Sequence, residues 1–162
     1  MHKTRITGMS GYLKKVEKDL TEYWVNEQTN RLVEYAKEEL EKMVTTHTFK
    51  NRTKNLEDSY AWGVYYKGEL KESGFRAKSA SKPAKFHGTN IWGNEEAVTF
   101  IQNGYTPPSN GWVVVWVAAA PYSVYLDPKS SYQSRSNRFF VISQRYDAIR
   151  QTFGEKAVTF SP

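Results

Sequence analysis

The chain has 162 residues, of which 39% are hydrophobic and 15% aromatic, so it holds enough apolar volume for the core of one domain. Its net charge is +6, and the excess lies in residues 73–162, where ten Lys and Arg stand against five Asp and Glu. This bias suits an acidic or nucleic-acid partner and equally well an ordinary solvated surface. The absence of cysteine excludes disulfides, cysteine-ligated zinc and a thiol nucleophile.

Neither a signal peptide nor a membrane span is predicted. The first residues, MHKTRITGMSGYLKK, have no apolar stretch of the kind that a signal peptide contains. The longest apolar run, VVVWVAAA ending at Ala120, is much shorter than the roughly 20 residues that a spanning helix needs. We therefore expect a soluble intracellular protein.

Residues 10–46 are predicted to be helical. Ser10 suits the N-cap position, and apolar residues then recur at steps of three and four. The members of this stripe are Leu13, Val16, Leu20, Trp24, Leu32, Ala36, Leu40 and Met43. The polar sequence NEQTN at 26–30 interrupts it, so either one long helix bends there or two helices meet. A helix of this length suits a spine or a contact with a neighbouring copy.

A β-hairpin is predicted after the helix. From Tyr60 to Tyr66 the side chains alternate with a period of two, as in a strand. Lys67 and Gly68 form a plausible tight turn, and 69–76 is the return strand.

Residues 77–94 have no clear period and are rich in Lys, Ser, Gly and Asn, which predicts an exposed loop. Asn94 is predicted to cap a short helix with the sequence EEAVTFIQ, whose first turn carries Glu95 and Glu96.

The apolar run from Trp112 to Ala120 is predicted to be a strand buried on both faces at the centre of the sheet. Residues 122–126 form a second strand or an extended continuation. A polar loop follows, and apolar residues then recur at helical spacing from Phe139 to Phe153, with Gly154 as the residue that ends the helix.

These elements predict an α+β fold in which a long N-terminal helix packs on a small, mostly antiparallel β-sheet, with a C-terminal helix and an inserted loop that carries a short helix. We expect residues 1–162 to form a single domain. Its parts are an arm (1–9), a helical region (10–46), a joint and hairpin (47–76), the insertion (77–110), central strands (111–127), a loop and C-terminal helix (128–153) and a tail (154–162).

The sequence gives no positive sign of catalysis, and we predict no catalytic residue, no cofactor and no metal. The histidines have no metal-ligand spacing and no glycine-rich nucleotide motif is present. The adjacent carboxylates Glu57–Asp58 and Glu95–Glu96 point apart, which favours helix-start charge over an acid–base pair. The histidines are His2, His47 and His87.

Two groups of residues suggest nucleic acid. Basic side chains in the middle of the chain can neutralise phosphates, although the pattern slightly favours a solvated loop. Aromatic residues near the apolar strand can stack on bases, although that strand favours the core. The basic residues are Arg76, Lys78, Lys82 and Lys85, and the aromatic ones are Trp112, Trp116, Tyr122 and Tyr125.

Three segments in a fixed order carry a resemblance to a known family. A charged helix leads into NRTKNLEDSY, an apolar strand runs into AAAPYSVYLD, and a polar loop precedes NRFFVISQRYDAIRQTF. This order resembles the minor tail component or tail-completion (neck, head–tail joining) proteins of tailed bacteriophages, over residues 20–153 with 77–110 as an insertion. The matching positions are Thr53, Asn55, Leu56 and Ser59 in the joint motif, and Ala120, Tyr122 and Asp127 in the strand-end motif.

The match has three departures. Lys54 stands where the family usually has glycine, Asp127 replaces a glutamate, and Pro128-Lys129 replaces a Gly-Thr pair. A lysine at the glycine position is strained if the backbone there needs a positive φ.

The resemblance implies a structural virion protein, assembled in the bacterial cytoplasm and located at the neck between portal and tail. It implies a closed ring of copies around the DNA channel, in contact with portal, adaptor or tail proteins and loosely with genomic DNA. The expected lumen or partner contacts are Arg76, Lys78, Lys82, Lys85, Arg135 and Arg138. The alternative function is a small basic nucleic-acid-binding module.

Overall fold

A computed structural model describes residues 9–45, 54–76, 82–123 and 145–154. The predicted α+β fold is confirmed: a long N-terminal helix lies on a small antiparallel sheet, and a C-terminal helix follows.

Helix α1 spans Met9–Thr45 without a break, so the polar interruption does not divide it into two helices. At about 1.5 Å per residue its 37 residues are roughly 55 Å long. Within the interruption, the Thr29 hydroxyl donates to the Val25 carbonyl at 2.8 Å and the side chain is buried, so this turn begins the packed half of the helix.

A three-stranded antiparallel sheet has the order β2-β1-β5, with β1 at Tyr60–Tyr66, β2 at Glu69–Phe75 and β5 at Trp112–Ala118. The predicted hairpin is confirmed: Lys67 and Gly68 connect β1 to β2 with φ angles of 50° and 85°, the left-handed pair that a tight hairpin turn requires.

The prediction that the apolar run lies at the sheet centre is wrong. Among the described strands, β5 is at the edge and is mostly half-buried, while β1 is central and buried over 60–65. A continuous apolar run indicates that both faces of a strand are packed, but it does not specify how many neighbouring strands pair with it.

The prediction of an unstructured loop over 77–94 is wrong in part. A small hairpin pairs β3, Ala84–Phe86, with β4, Thr89–Ile91, through a turn at His87 and Gly88. Each strand has three residues, which is too short to show a period of two in the sequence. Residues 77–81 lie outside the described parts of the chain.

The short helix exists, but its predicted cap is wrong. Helix α3 spans Gly93–Thr99, so Asn94 lies inside it, and a π-helical turn continues it over Phe100–Gly104. The Gly93 amide donates instead to the side-chain oxygen of Asn55, nearly forty residues earlier in the chain. A distant residue therefore caps this helix, which no local sequence pattern reveals.

The core lies on both faces of β1. On one face, buried residues of α1 such as Ala36 and Met43 pack against Tyr60 and Val64. On the other face Ala61 packs against the α3 and π-turn side. There Tyr65 donates to the Ile101 carbonyl at 2.6 Å, and burial raises the pKa of this phenol to about 12.

Helix α4 spans Tyr146–Phe153 and ends at Gly154 with φ 89°, as predicted; residues 139–144 of the predicted helix lie outside the described ranges. Its Ile149 is buried in the core on the α1 side of the sheet.

The prediction of a strand or an extended segment over 122–126 is wrong for its first two residues. The chain turns at Pro121 and Tyr122, and the Ser123 hydroxyl donates back to the Ala118 carbonyl at 2.7 Å.

Candidate assembly surfaces

The joint between the long helix and the sheet is a short turn of helix, α2, at Asn55–Asp58, preceded by a left-handed residue. Lys54 has φ 59° and ψ −1°, and its carbonyl accepts a hydrogen bond from the Asp58 amide at 2.7 Å. The Ser59 hydroxyl closes the turn by donating to the Leu56 carbonyl at 2.7 Å, and both of these residues are buried. Leu56 thus anchors the turn in the core and Ser59 closes it, while Thr53 lies outside the described residues.

Asn55 connects this joint to the insertion. Its side chain is fully buried, donates to the Ile91 carbonyl at 2.9 Å and accepts from the Gly93 amide. A Cβ atom on Gly93 would collide with the Asn55 carbonyl oxygen, so only glycine permits this approach. Asn55 thereby provides one polar attachment of the insertion to the main body, in addition to the hydrogen bond from Tyr65 to the Ile101 carbonyl.

The two family-like motifs meet in space. Tyr122 of the strand-end motif packs against the core cluster that contains Leu56 of the joint motif, and its phenol lies near the Asn55 side chain. Burial raises the pKa of the Tyr122 phenol, and the neighbouring Asn55 side chain opposes the rise. Ala120 is buried in the same core cluster as Leu56, whereas Asp127 lies outside the described residues.

Three of the six basic residues that were predicted to contact DNA or a partner lie in the described ranges. Arg76 is held by two carboxylates, Glu41 at 3.2 Å and Glu57 at 3.3 Å. Lys82 and Lys85 are exposed at the small β3–β4 hairpin. Lys78, Arg135 and Arg138 lie outside the described ranges.

The aromatic residues that were considered as base-stacking platforms pack within the protein. The Trp116 indole donates to the Ala36 carbonyl of α1 at 3.0 Å, and its ring meets Tyr35 edge-on at 5.9 Å. Trp112 stacks on Tyr66 with ring centroids 4.3 Å apart. These contacts favour the core interpretation; Tyr125 lies outside the described residues.

A buried carboxylate in α1 binds the residue that immediately precedes α4, and no sequence pattern predicted this contact. Glu39 is 2% exposed, and Arg145 donates to its two oxygens at 2.9 and 3.2 Å while Lys42 donates at 2.7 Å. Burial raises the pKa of Glu39, but the hydrogen bonds from Arg145 and Lys42 outweigh burial and lower it overall. Arg145 lies 106 residues after Glu39 in the chain, so no local sequence spacing linked these groups.

The first half of α1 carries an exposed apolar surface, the arm stripe, defined as Tyr12, Leu13, Val16, Leu20, Tyr23 and Trp24. Five of these side chains are 50–68% exposed, and Val16 is half-buried. At its inner end Trp24 meets Trp112 edge-on at 6.3 Å, so the stripe is continuous with the packed body. A shallow groove runs along the stripe between Leu13 and Trp24. The sequence pattern identified this face, and the long helix was predicted to be a spine or to contact a neighbouring copy.

Within the described ranges, no three His, Asp or Glu side chains come together as metal ligands. No helix in those ranges is both long and apolar enough to cross a membrane. Comparison of the chain with protein-family models, with curated proteins and with solved structures gave no match.

Proposed function

We propose that this chain is a structural virion protein of a tailed bacteriophage, and that it forms an oligomeric ring around the DNA channel at the neck, between portal and tail. The observation that carries the proposal is the contact between the two family-like motifs. Asn55 and Tyr122 are far apart in sequence, yet their side chains lie near each other, and Tyr122 packs against the core in which Leu56 and Ala120 are buried. Two short motifs that resemble one family and also pack together support the resemblance more strongly than either motif does alone.

The backbone of Lys54 gives independent support. The family pattern usually has glycine at this position, and glycine is the residue that adopts a left-handed backbone without cost. Lys54 has φ 59° here, so the departure from the pattern is a change of side chain at a position that keeps the conformation suited to glycine.

A ring subunit needs surfaces rather than a reaction centre. Repeated heterologous contacts between copies close a ring, and further surfaces bind the portal, adaptor or tail proteins. Among the described residues, the β3–β4 hairpin and the arm stripe are exposed surfaces that are available for such contacts. With Lys82 and Lys85 toward the lumen, the ring touches the passing genome through few charges, whereas a dense basic patch would retain it.

The alternative function, a small nucleic-acid-binding module, has less support. Arg76 is engaged by two carboxylates, and Trp112 and Trp116 contact other side chains of the protein. A module that binds single strands by stacking needs aromatic faces that are open to bases.

The proposal is tested on virions. Mass spectrometry of purified particles is expected to detect the chain in a small fixed copy number, and cryo-electron microscopy of the neck is expected to place it in one closed layer beside the portal. Particles that infect normally but do not contain the chain would refute the virion assignment. If the chain occurs only in the capsid shell or the tail tip, the neck assignment fails.

The alternative is tested by DNA binding at different salt concentrations. The ring proposal expects weak retention that is abolished near physiological salt, with a shallow slope of log affinity against log salt. Tight binding with a slope of about −4 or steeper would mean that several phosphates are neutralised together, and it would favour the nucleic-acid-binding module. The Lys82→Ser/Lys85→Ser variant measures how much of the slope arises from the hairpin.

A further inference from the structure

The arm stripe is a large and regular apolar surface. At 100° per residue its six side chains lie within an arc of about 120° on one side of α1. Their exposed area is on the order of 600 Å², at the upper end of the largest apolar patch of a typical monomer. The opposite side of the same turns carries Lys14, Lys18 and Glu22, which are suited to water.

The stripe reads almost the same in both directions along the helix. Counting from Lys18, Val16 and Leu20 are each two residues away. Leu13 and Tyr23 are each five residues away, on either side. Tyr12 and Trp24 are each six residues away, so all six members fall into three symmetric pairs. A stripe with this spacing presents apolar side chains at the same heights along the helix when it is turned end for end.

We propose that the arm stripe docks against the same stripe of a second copy of this chain. The two helices are antiparallel, and the two-fold axis passes between them at the height of residue 18. Leu13 then lies against Trp24 of the second copy, and Tyr12 lies against its Tyr23. Val16 and Leu20 of both copies lie beside the axis. The contact is isologous, because each copy contributes the same surface. Antiparallel helices also place each helix dipole beside the opposite end of the other.

The charges beside the stripe attract each other across one edge of the antiparallel pair and repel each other across the other edge. In an antiparallel pair, each edge of the stripe faces the same edge of the second copy. Lys15 and Asp19 occupy one edge, so Lys15 of one copy faces Asp19 of the other. Glu17 occupies the other edge and faces its own counterpart near the axis. The orientation therefore predicts that Glu17→Gln strengthens the pair.

The expected interface is modest. Covering the stripe on both copies buries roughly 1,200 Å² in total, at the lower limit of stable interfaces, so the pair should be reversible. This association goes beyond the proposed ring and does not depend on it. Neighbours in a ring face the same way, whereas a two-fold contact turns two copies in opposite directions, so the pair is a form of the chain outside the ring.

Mass measurement on the purified full chain tests the contact. Light scattering at tens of micromolar is expected to give twice the chain mass of 18.7 kDa. The Leu13→Ser/Leu20→Ser variant should be monomeric, while the matched control Lys14→Ser/Lys18→Ser, on the opposite side of the helix, should remain paired. All four side chains are exposed, so both variants are expected to keep the wild-type melting temperature and circular dichroism spectrum.

A monomeric wild-type chain would overturn the proposal, as would a stripe variant that associates as well as its control. A ring held by other surfaces leaves the mass of the stripe variant unchanged and counts against the pair, while a virion neck without the chain would leave the pair intact. The two proposals therefore fail separately.

A distance measurement tests the orientation. Because the chain has no cysteine, Ser10→Cys gives a single site for a spin label. Eight residues separate Ser10 from the axis, so the two labelled backbones should be about 25 Å apart across an antiparallel pair. A distance near 10 Å would indicate parallel helices and would refute the two-fold arrangement. A weaker pair in the Glu17→Gln variant would refute it as well.

Discussion

Replacing Lys54 with glycine should stabilise the fold. The backbone at this residue has φ 59°, where an amino acid with a Cβ atom has about 1–2 kcal/mol of extra strain. Glycine removes that strain, but it also makes the unfolded chain more flexible, which costs about 0.4–1 kcal/mol. The net gain in the free energy of unfolding is about 0.5–1 kcal/mol. For a chain of 162 residues this corresponds to a rise in melting temperature of roughly 1–4 °C.

Two controls separate the backbone from the side chain. Lys54→Ala keeps the Cβ atom. Because the lysine is exposed, the free energy of unfolding of this variant should lie within about 0.5 kcal/mol of that of the wild type. Lys37→Gly makes the same substitution on an exposed helical turn and should cost about 1 kcal/mol. Calorimetry or urea unfolding of the four proteins measures the differences. If Lys54→Gly is no more stable than Lys54→Ala, the strain argument is refuted.

Three further changes test the packing. Gly93→Ala forces a Cβ atom into the Asn55 carbonyl oxygen and should cost about 3 kcal/mol or more; a melting temperature within a degree of the wild type would contradict the close approach. Trp116→Ala removes the contact with α1 and should cost about 3 kcal/mol in urea unfolding, whereas Trp116→Phe should cost about 1–2; equal, small losses would mean that the indole does not bind α1. Glu39 has a pKa lowered from 4.5, so its stabilisation is complete above that pH and is lost as the pH falls through the folded-state pKa. Glu39→Gln should cost about 3 kcal/mol at pH 7 and flatten this acid dependence in pH-jump unfolding; an unchanged acid limb would contradict the ion pair with Arg145.

The elements that were predictable from the sequence are those set by local patterns. Alternation from Tyr60 and the turn at Lys67-Gly68 specify the hairpin because side-chain direction and turn geometry are local properties. The helical period likewise specified α1, although it did not settle whether the helix continues through 26–30.

The features that were missed depend on residues far apart in the chain. The cap of α3 comes from Asn55, and the position of β5 at the edge or centre of the sheet depends on which strands pair with it. The arm stripe is a case in which the local pattern was recognised but its packing was not determined. Its apolar spacing is the same as that of the packed half of α1, because the pattern records that a face avoids water and does not record what covers it.

The position of β1 between two strands has a consequence for the order of folding. Its hairpin with β2 closes across two residues and can form within microseconds, as isolated hairpins do. Its pairing with β5, from Tyr66↔Trp112 to Tyr60↔Ala118, must first close a loop of more than forty residues. The sheet should therefore be completed late, after the insertion is in place. Because closure entropy grows only with the logarithm of length, doubling this insertion would cost about 0.6 kcal/mol. Related chains can thus vary the outward-facing hairpin widely without losing the sheet that supports it.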